Sequence, residues 1–195
     1  MSLRSARPSA VNLWCALGLL ALLLAGMPPV AMPADQTKPR LSPVRRTTIA
    51  TADLQASLRF YRDLLGFEVE YDRPVTDPQT LGLFAPGATE GRAVALRQGA
   101  GLGGSIGLFH APGVAMPPGC RTTASAGSVA MLILTDDLPG LRDRLKAAGV
   151  TFLTQTVSYS EGRGPTDAFT VFDPNCVRVG FAQIRAESLD ESIAR

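Results

Sequence analysis

Thr51-Ala52-Asp53-Leu54, running on into QASLRFYRDLLGFEVEY at 55–71, has a counterpart later in the chain. The counterpart is Thr135-Asp136-Asp137-Leu138, followed by PGLRDRLKAAGVTFLTQ at 139–155. Each copy opens on a short β-rich run and an Asp-Leu helix start. About three amphipathic turns follow, then a glycine stop at Gly66 or Gly149 and another β-rich run. In the first helix Leu54, Leu58, Tyr61 and Leu65 share one face. Asp53 stands at its N-cap, where a carboxylate accepts a free backbone N–H, and Gly66 stands at its C-cap. A strand–helix–strand unit used twice predicts a pseudo-symmetric α+β domain with any site between its halves.

Outward from these two segments, strands are expected at 46–51 and 67–71, around a helix over 54–65. The stretch 74–91 holds three prolines and three glycines and reads as loop. Strands at 93–97 and 105–110 are joined by QGAGLGG, a glycine-rich hairpin link. That link lacks the strand–loop–helix setting of a phosphate loop. A loop over 111–127 separates the halves. The second half repeats the order: strand 129–134, helix 138–148, strand 150–156. Final strands at 168–172 and 177–183 flank the turn Asp173-Pro174-Asn175, and the polar tail reads as a frayed helix.

The chain has 195 residues, 46% hydrophobic and 18% charged, a globular composition raised by an apolar N-terminus. A net charge of +2, with Lys and Arg scattered, argues against a nucleic-acid surface. Arg4 and Arg7 precede an apolar run over 11–25, and Met27-Pro28-Pro29 ends it. That is the pattern of a secretory signal. Residues 1–34 are therefore read as a signal peptide or an N-terminal anchor, and 35–44 as a linker. In the first case the protein is periplasmic or secreted; in the second, residues 11–27 hold it at the membrane. Signal removal leaves Cys120 and Cys176, which the sequence allows to be a disulfide or two free thiols.

The doubled β-α-β-β-β order, with DLQASLRFYRDLLGFEVEY, DDLPGLRDRLKAAGV and FTVFDPNCVRVGF, resembles the vicinal oxygen chelate (VOC) superfamily. That group includes glyoxalase I, the extradiol dioxygenases and the bleomycin and fosfomycin resistance proteins. The resemblance covers residues 45–184, as modules 45–110 and 128–184, and leaves 185–195 as a tail. It implies an α+β domain whose two modules form a rolled mixed sheet with a central concavity and helices on the outer face. It also implies a divalent metal on His or Glu side chains at four positions, which here are Arg46, Gly107, Ala130 and Gly180. None is a ligand. The chain's one histidine, His110, points by strand alternation away from the concavity. No metal and no cofactor are therefore expected, no catalytic residue is assigned, and the balance leans against an enzyme.

Strand alternation sorts the rest. Ile106, Leu108, Val129, Met131, Val177, Val179 and Phe181 are expected to face the helices. The opposite face carries Arg46, Thr48 and Ala50; Ser105, Gly107 and Phe109; Ala130, Leu132 and Leu134; Arg178, Gly180 and Ala182. Small residues there leave volume, and paired arginines suit a carboxylate or phosphate. The expected ligand-binding residues are Arg46, Thr48, Ser105, Phe109, Leu132 and Arg178. In a competing view Arg178 pairs with Glu68 or Glu70, and a loop fills the cavity. Ser158, Tyr159 and Ser160 have no histidine partner for nucleophilic catalysis.

The leading functional expectation is an exported, metal-free, glyoxalase-like or bleomycin-resistance-like protein that binds a small molecule, an anion being the favoured kind. The alternatives are a lyase, isomerase or dioxygenase holding metal on non-standard ligands, and a non-catalytic interaction scaffold. The expected partner is a small-molecule ligand, with no nucleic acid, and with a membrane only through an uncleaved N-terminus. Oligomeric state stays open.

Overall fold

The structure is a computed structural model, and it describes residues 41–101, 103–160, 165–185 and 188–189. The signal-or-anchor reading of 1–34 and nearly all of the tail lie outside the described residues, as do Leu102 and residues 161–164.

The first module begins with β1 (Arg46–Ala50) and a helix, α1 (Leu54–Leu58), that widens into a π-type turn over Arg59–Leu64. Asp53 caps α1 by accepting from the Ala56 N–H at 2.9 Å. Gly66 ends it at φ +78, a left-handed conformation that glycine adopts without a Cβ clash. The π turn closes with Leu65 N–H donating to the Phe60 carbonyl, five residues back. Two adjacent aromatics, Phe60 and Tyr61, are both buried there. Next come β2 (Glu68–Val75), α2 (Pro78–Phe84), β3 (Gly91–Arg97) and β4 (Ser105–His110).

The second module repeats the plan with β5 (Ala130–Thr135), α3 (Leu138–Ala147), β6 (Val157–Ser160), β7 (Pro165–Phe172) and β8 (Arg178–Gln183). Asp137 caps α3 as Asp53 caps α1, and Gly149 (φ +73) follows it as Gly66 follows α1. Each module makes one four-stranded mixed sheet, ordered β1-β4-β3-β2 and β5-β8-β7-β6, so β1 and β5 are each an edge of their own sheet. In both sheets the first and last strands of the module run parallel and the rest antiparallel.

Two sequence expectations give way here. The stretch 74–91 is not simply loop: β2 runs on to Val75, and α2 starts at Pro78 with Asp77 accepting from the Thr80 N–H at 2.8 Å. Proline at the first helical position costs no hydrogen bond, so it starts a helix as readily as it breaks one. The stretch 150–156 is not a strand. Val150 N–H closes the end of α3 on Leu145; Thr151, Leu153 and Thr154 then make backbone hydrogen bonds to β7 around an isolated Phe152–Val171 bridge, and regular pairing begins only at Val157. Packing holds the stretch as well, with the Phe152 ring tilted against Phe169 at 5.3 Å.

One core serves both modules. Leu54, Leu58, Phe60 and Tyr61 of the first helix join Leu138, Leu141 and Leu145 of α3, over Ile106, Leu108, Val179 and Phe181. Met131 and Val177 pack against it as expected, whereas Val129 precedes β5 and is 62% exposed. A buried polar chain also ties the modules. Tyr61 donates to Asp173 at 2.9 Å, Asn175 donates to Ser57 Oγ at 3.0 Å, and Ser57 shares a 2.8 Å hydrogen bond with Thr51. Cys120 and Cys176 form a disulfide that fastens the inter-module loop to the β7–β8 turn.

Candidate functional site

In the first sheet Arg46 is fully engaged. Its Nη2 lies 3.1 Å from Glu70, Nη1 donates to Tyr71 Oη at 2.7 Å, and Nε donates to Ser105 Oγ at 3.2 Å. Glu70 also receives Arg97 at 3.0 Å. Ser105 Oγ–H in turn donates to the Arg45 carbonyl at 2.9 Å. Thr48 is the register partner of Gly107, and these side chains fill the space that Gly107 leaves. A Cβ added at Gly107 would meet Thr48 Oγ1 at 2.8 Å and Arg46 Cδ at 3.0 Å. The small residue therefore makes room for an arginine rather than for a ligand.

Phe109, also on this face, is buried under α2, with Leu81 beside it and the Phe84 ring 5.2 Å away. The segment read as loop is thus the element that covers the first sheet.

The second sheet differs. Arg178, opposite Ala130 in the register, has no carboxylate within ion-pair distance among the described residues. Its Nη2 donates instead to the Arg121 and Thr122 carbonyls at 3.1 and 3.2 Å. Neither Glu68 nor Glu70 reaches it, because Glu70 is held in the first sheet. Leu132 is 54% exposed and leans over Gly180.

An open groove of about 340 Å³ lies where the inter-module loop meets this sheet. Arg121, Arg178, Ser128, Val129 and Asn175 line it, with Cys176 of the disulfide. Of the six expected ligand-binding residues, Arg178 alone lines it. Arg46, Thr48, Ser105 and Phe109 belong to the first sheet, and Leu132 lies one row below Arg178. Arg121, Ser128 and Asn175 escaped the sequence reading. Pairing of Cys120 with Cys176 is the signal that would have found Arg121, since it places position 121 near position 178. A second groove, of about 330 Å³, runs beside α3 and carries charges of both signs, including Asp143, Lys146 and Asp167. Its Arg142 is already committed to Thr156 Oγ1 at 2.8 Å and Gln155 Oε1 at 2.7 Å.

The profile of the Glyoxalase/Bleomycin resistance protein/Dioxygenase superfamily matches residues 44–181. The chain belongs to that superfamily. Solved structures agree in fold. The glyoxalase family protein of Bacillus cereus superposes with a TM-score of 0.63 at 14% identity, over 77% of this chain and 99% of that one. Glyoxalase I of Zea mays (a V278E mutant) gives 0.53 at 17% identity, over 73% of this chain and 44% of that one. The trypanothione-dependent glyoxalase I of Leishmania major gives 0.50 at 18% identity, over 78% and 92%. No curated protein matches the sequence significantly.

The superfamily's metal does not fit the residues at its four positions. Arg46 is a cation, Gly107, Ala130 and Gly180 carry no donor, and the Arg46 stem already lies across Gly107. His110, half-buried at the end of β4, uses Nδ1–H to donate to the Thr51 carbonyl at 2.9 Å. Among the described residues no three His, Cys, Asp or Glu side chains converge to hold a metal ion.

Proposed function

We propose that this superfamily member is exported, works without a metal, and binds a small organic anion in the groove under the inter-module loop. One observation carries the reading: Arg121 and Arg178 line the same groove, and no described carboxylate neutralises either guanidinium. Two neighbouring cations with planar donor faces are matched by a carboxylate or phosphate. Ser128 and Asn175 add neutral polar groups to the same wall. Arg46, by contrast, has its anion built in as Glu70.

Export is supported by the Arg4/Arg7 and Leu-rich start of the chain, and by a disulfide that would be reduced in a cytosol. Binding rather than metal-assisted catalysis is supported by the four donor-poor positions.

The test is calorimetric titration with small carboxylates and inorganic phosphate. Binding should weaken about tenfold to a hundredfold in Arg178→Ala, the worth of one charged hydrogen bond. Anion binding that ignores Arg178, or no binding at all, sinks the reading.

A further inference from the structure

The two sheets treat their second faces differently. In the first, α2 lies over Phe109. In the second, Leu132 and Leu134 of β5 stand 54% and 37% exposed, with Val157 of β6 at 52%, while Phe172, Gly180 and Ala182 on the same face are buried. Register partners share a sheet face. The pairing therefore stacks three rows. Ala130, Arg178 and Phe172 form the first, and Leu132, Gly180 and Thr170 the second. Leu134, Ala182, Ala168 and Val157 form the third, an apolar row across all four strands. Val129, 62% exposed, lines the groove just before β5 begins.

Charge is thus confined to one end of the face. The Arg178 row is cationic and meets Arg121 in the groove; the rows beyond it carry no charge. From Arg178 to Ala182 is four residues along β8, roughly 13 Å of strand. Gly180 and Ala182 lie buried at the floor there, and Leu132 and Leu134 rise beside them with exposed side chains.

Resting on the anion reading above, we infer that the ligand is amphipathic: a carboxylate or phosphate head between Arg121 and Arg178, and an apolar chain laid along Leu132 and Leu134. The unneutralised cations choose the occupant, since a purely apolar partner would leave both guanidiniums facing hydrocarbon.

Decanoate, 1-decanol and inorganic phosphate, titrated by calorimetry into the purified protein, test this. The variants are Arg178→Ala and the double change Leu132→Ser with Leu134→Ser; exposure of both leucines makes the double variant safe to fold. Decanoate should bind at least about tenfold tighter than phosphate, the worth of two buried methylenes. It should also bind tighter than decanol. The double variant should lose the advantage of decanoate over phosphate and keep phosphate binding; Arg178→Ala should weaken both anions. If phosphate binds through Arg178 but decanoate gains nothing, or the double variant leaves decanoate unchanged, the inference is overturned and the anion reading stands. If neither anion binds, both fall. Sedimentation showing a dimer that the double variant splits, and that decanoate does not disturb, assigns the face to a second copy and also overturns the inference.

Discussion

Tyr61 donates its phenol proton to Asp173, a buried carboxylate that also accepts the N–H groups of Asn175 and Val177. Burial first, and the neighbouring Asp173 charge second, push the phenol far above its ordinary value of 10.0. The folded chain therefore keeps a proton that the unfolded chain releases. The stability from Tyr61 is complete below about pH 10 and declines as pH rises beyond it. Tyr61→Phe should cost about 1–3 kcal/mol at neutral pH by leaving Asp173 short of a donor. It should also flatten the alkaline loss of stability; urea melts at neutral pH and above pH 10.0 read both effects. The two arginines on the ligand-expected face separate just as cleanly. Arg46→Ala should leave anion affinity within about twofold, whereas Arg178→Ala removes most of it; calorimetry of the pair distinguishes a guanidinium neutralised by a carboxylate from one held only by carbonyls.

At the scale of elements, α2 and the inter-module loop set the two halves apart. Leu81, 2% exposed, is the residue by which α2 sits on Phe109. Leu81→Ala should cost about 2–4 kcal/mol, checked by chemical denaturation. The α2 cap is pH-sensitive in the opposite sense from Tyr61. Hydrogen bonds from Thr80 hold the Asp77 carboxyl below the usual carboxylate range. That contribution is present above the unfolded value and is lost as pH falls through the folded one. On the other half, the Cys120–Cys176 bridge closes a separation of 56 residues. Its removal in Cys120→Ser with Cys176→Ser should cost up to about 4 kcal/mol in the chain-entropy view. It should also weaken anion binding, because Arg121 sits next to the tether. An unchanged melting temperature with unchanged affinity would show the bridge to be idle.

For the whole molecule, the two modules share a core but differ in what surrounds their arginines. One sheet is covered by its own helix and holds its arginine in an ion pair; the other exposes Leu132, Leu134 and Val157, and its arginine meets backbone carbonyls and no carboxylate among the described residues. That asymmetry, rather than the common fold, carries the functional reading, since one fold hosts many chemistries. Export and metal content are also properties of the whole chain. Mass spectrometry of the native protein should show loss of about the first 30 residues. Elemental analysis should find no stoichiometric transition metal; about one zinc, iron, nickel or manganese per chain would return attention to the acidic side chains as oxygen ligands.

Local signals carried the parts of the fold that depend on neighbours in sequence. Asp53 and Asp137 as caps, Gly66 and Gly149 as stops, and the alternation of Ile106, Leu108, Val179 and Phe181 are all short-range physics, and the structure keeps them. The doubled order of these signals was enough to recognise the superfamily. Only the tertiary structure could decide what fills a space or neutralises a charge. Gly107 reads as open volume until the Arg46 stem is seen across it, and Pro78 reads as a breaker until α2 is seen on Phe109. Glu70 reaches Arg46 rather than Arg178 because strand pairing brings β2 and β1 into the same sheet, with β8 in the other. Arg121 became part of the candidate site through a disulfide whose two halves lie 56 residues apart. Such contacts are set by distances between remote segments, and sequence spacing does not measure those.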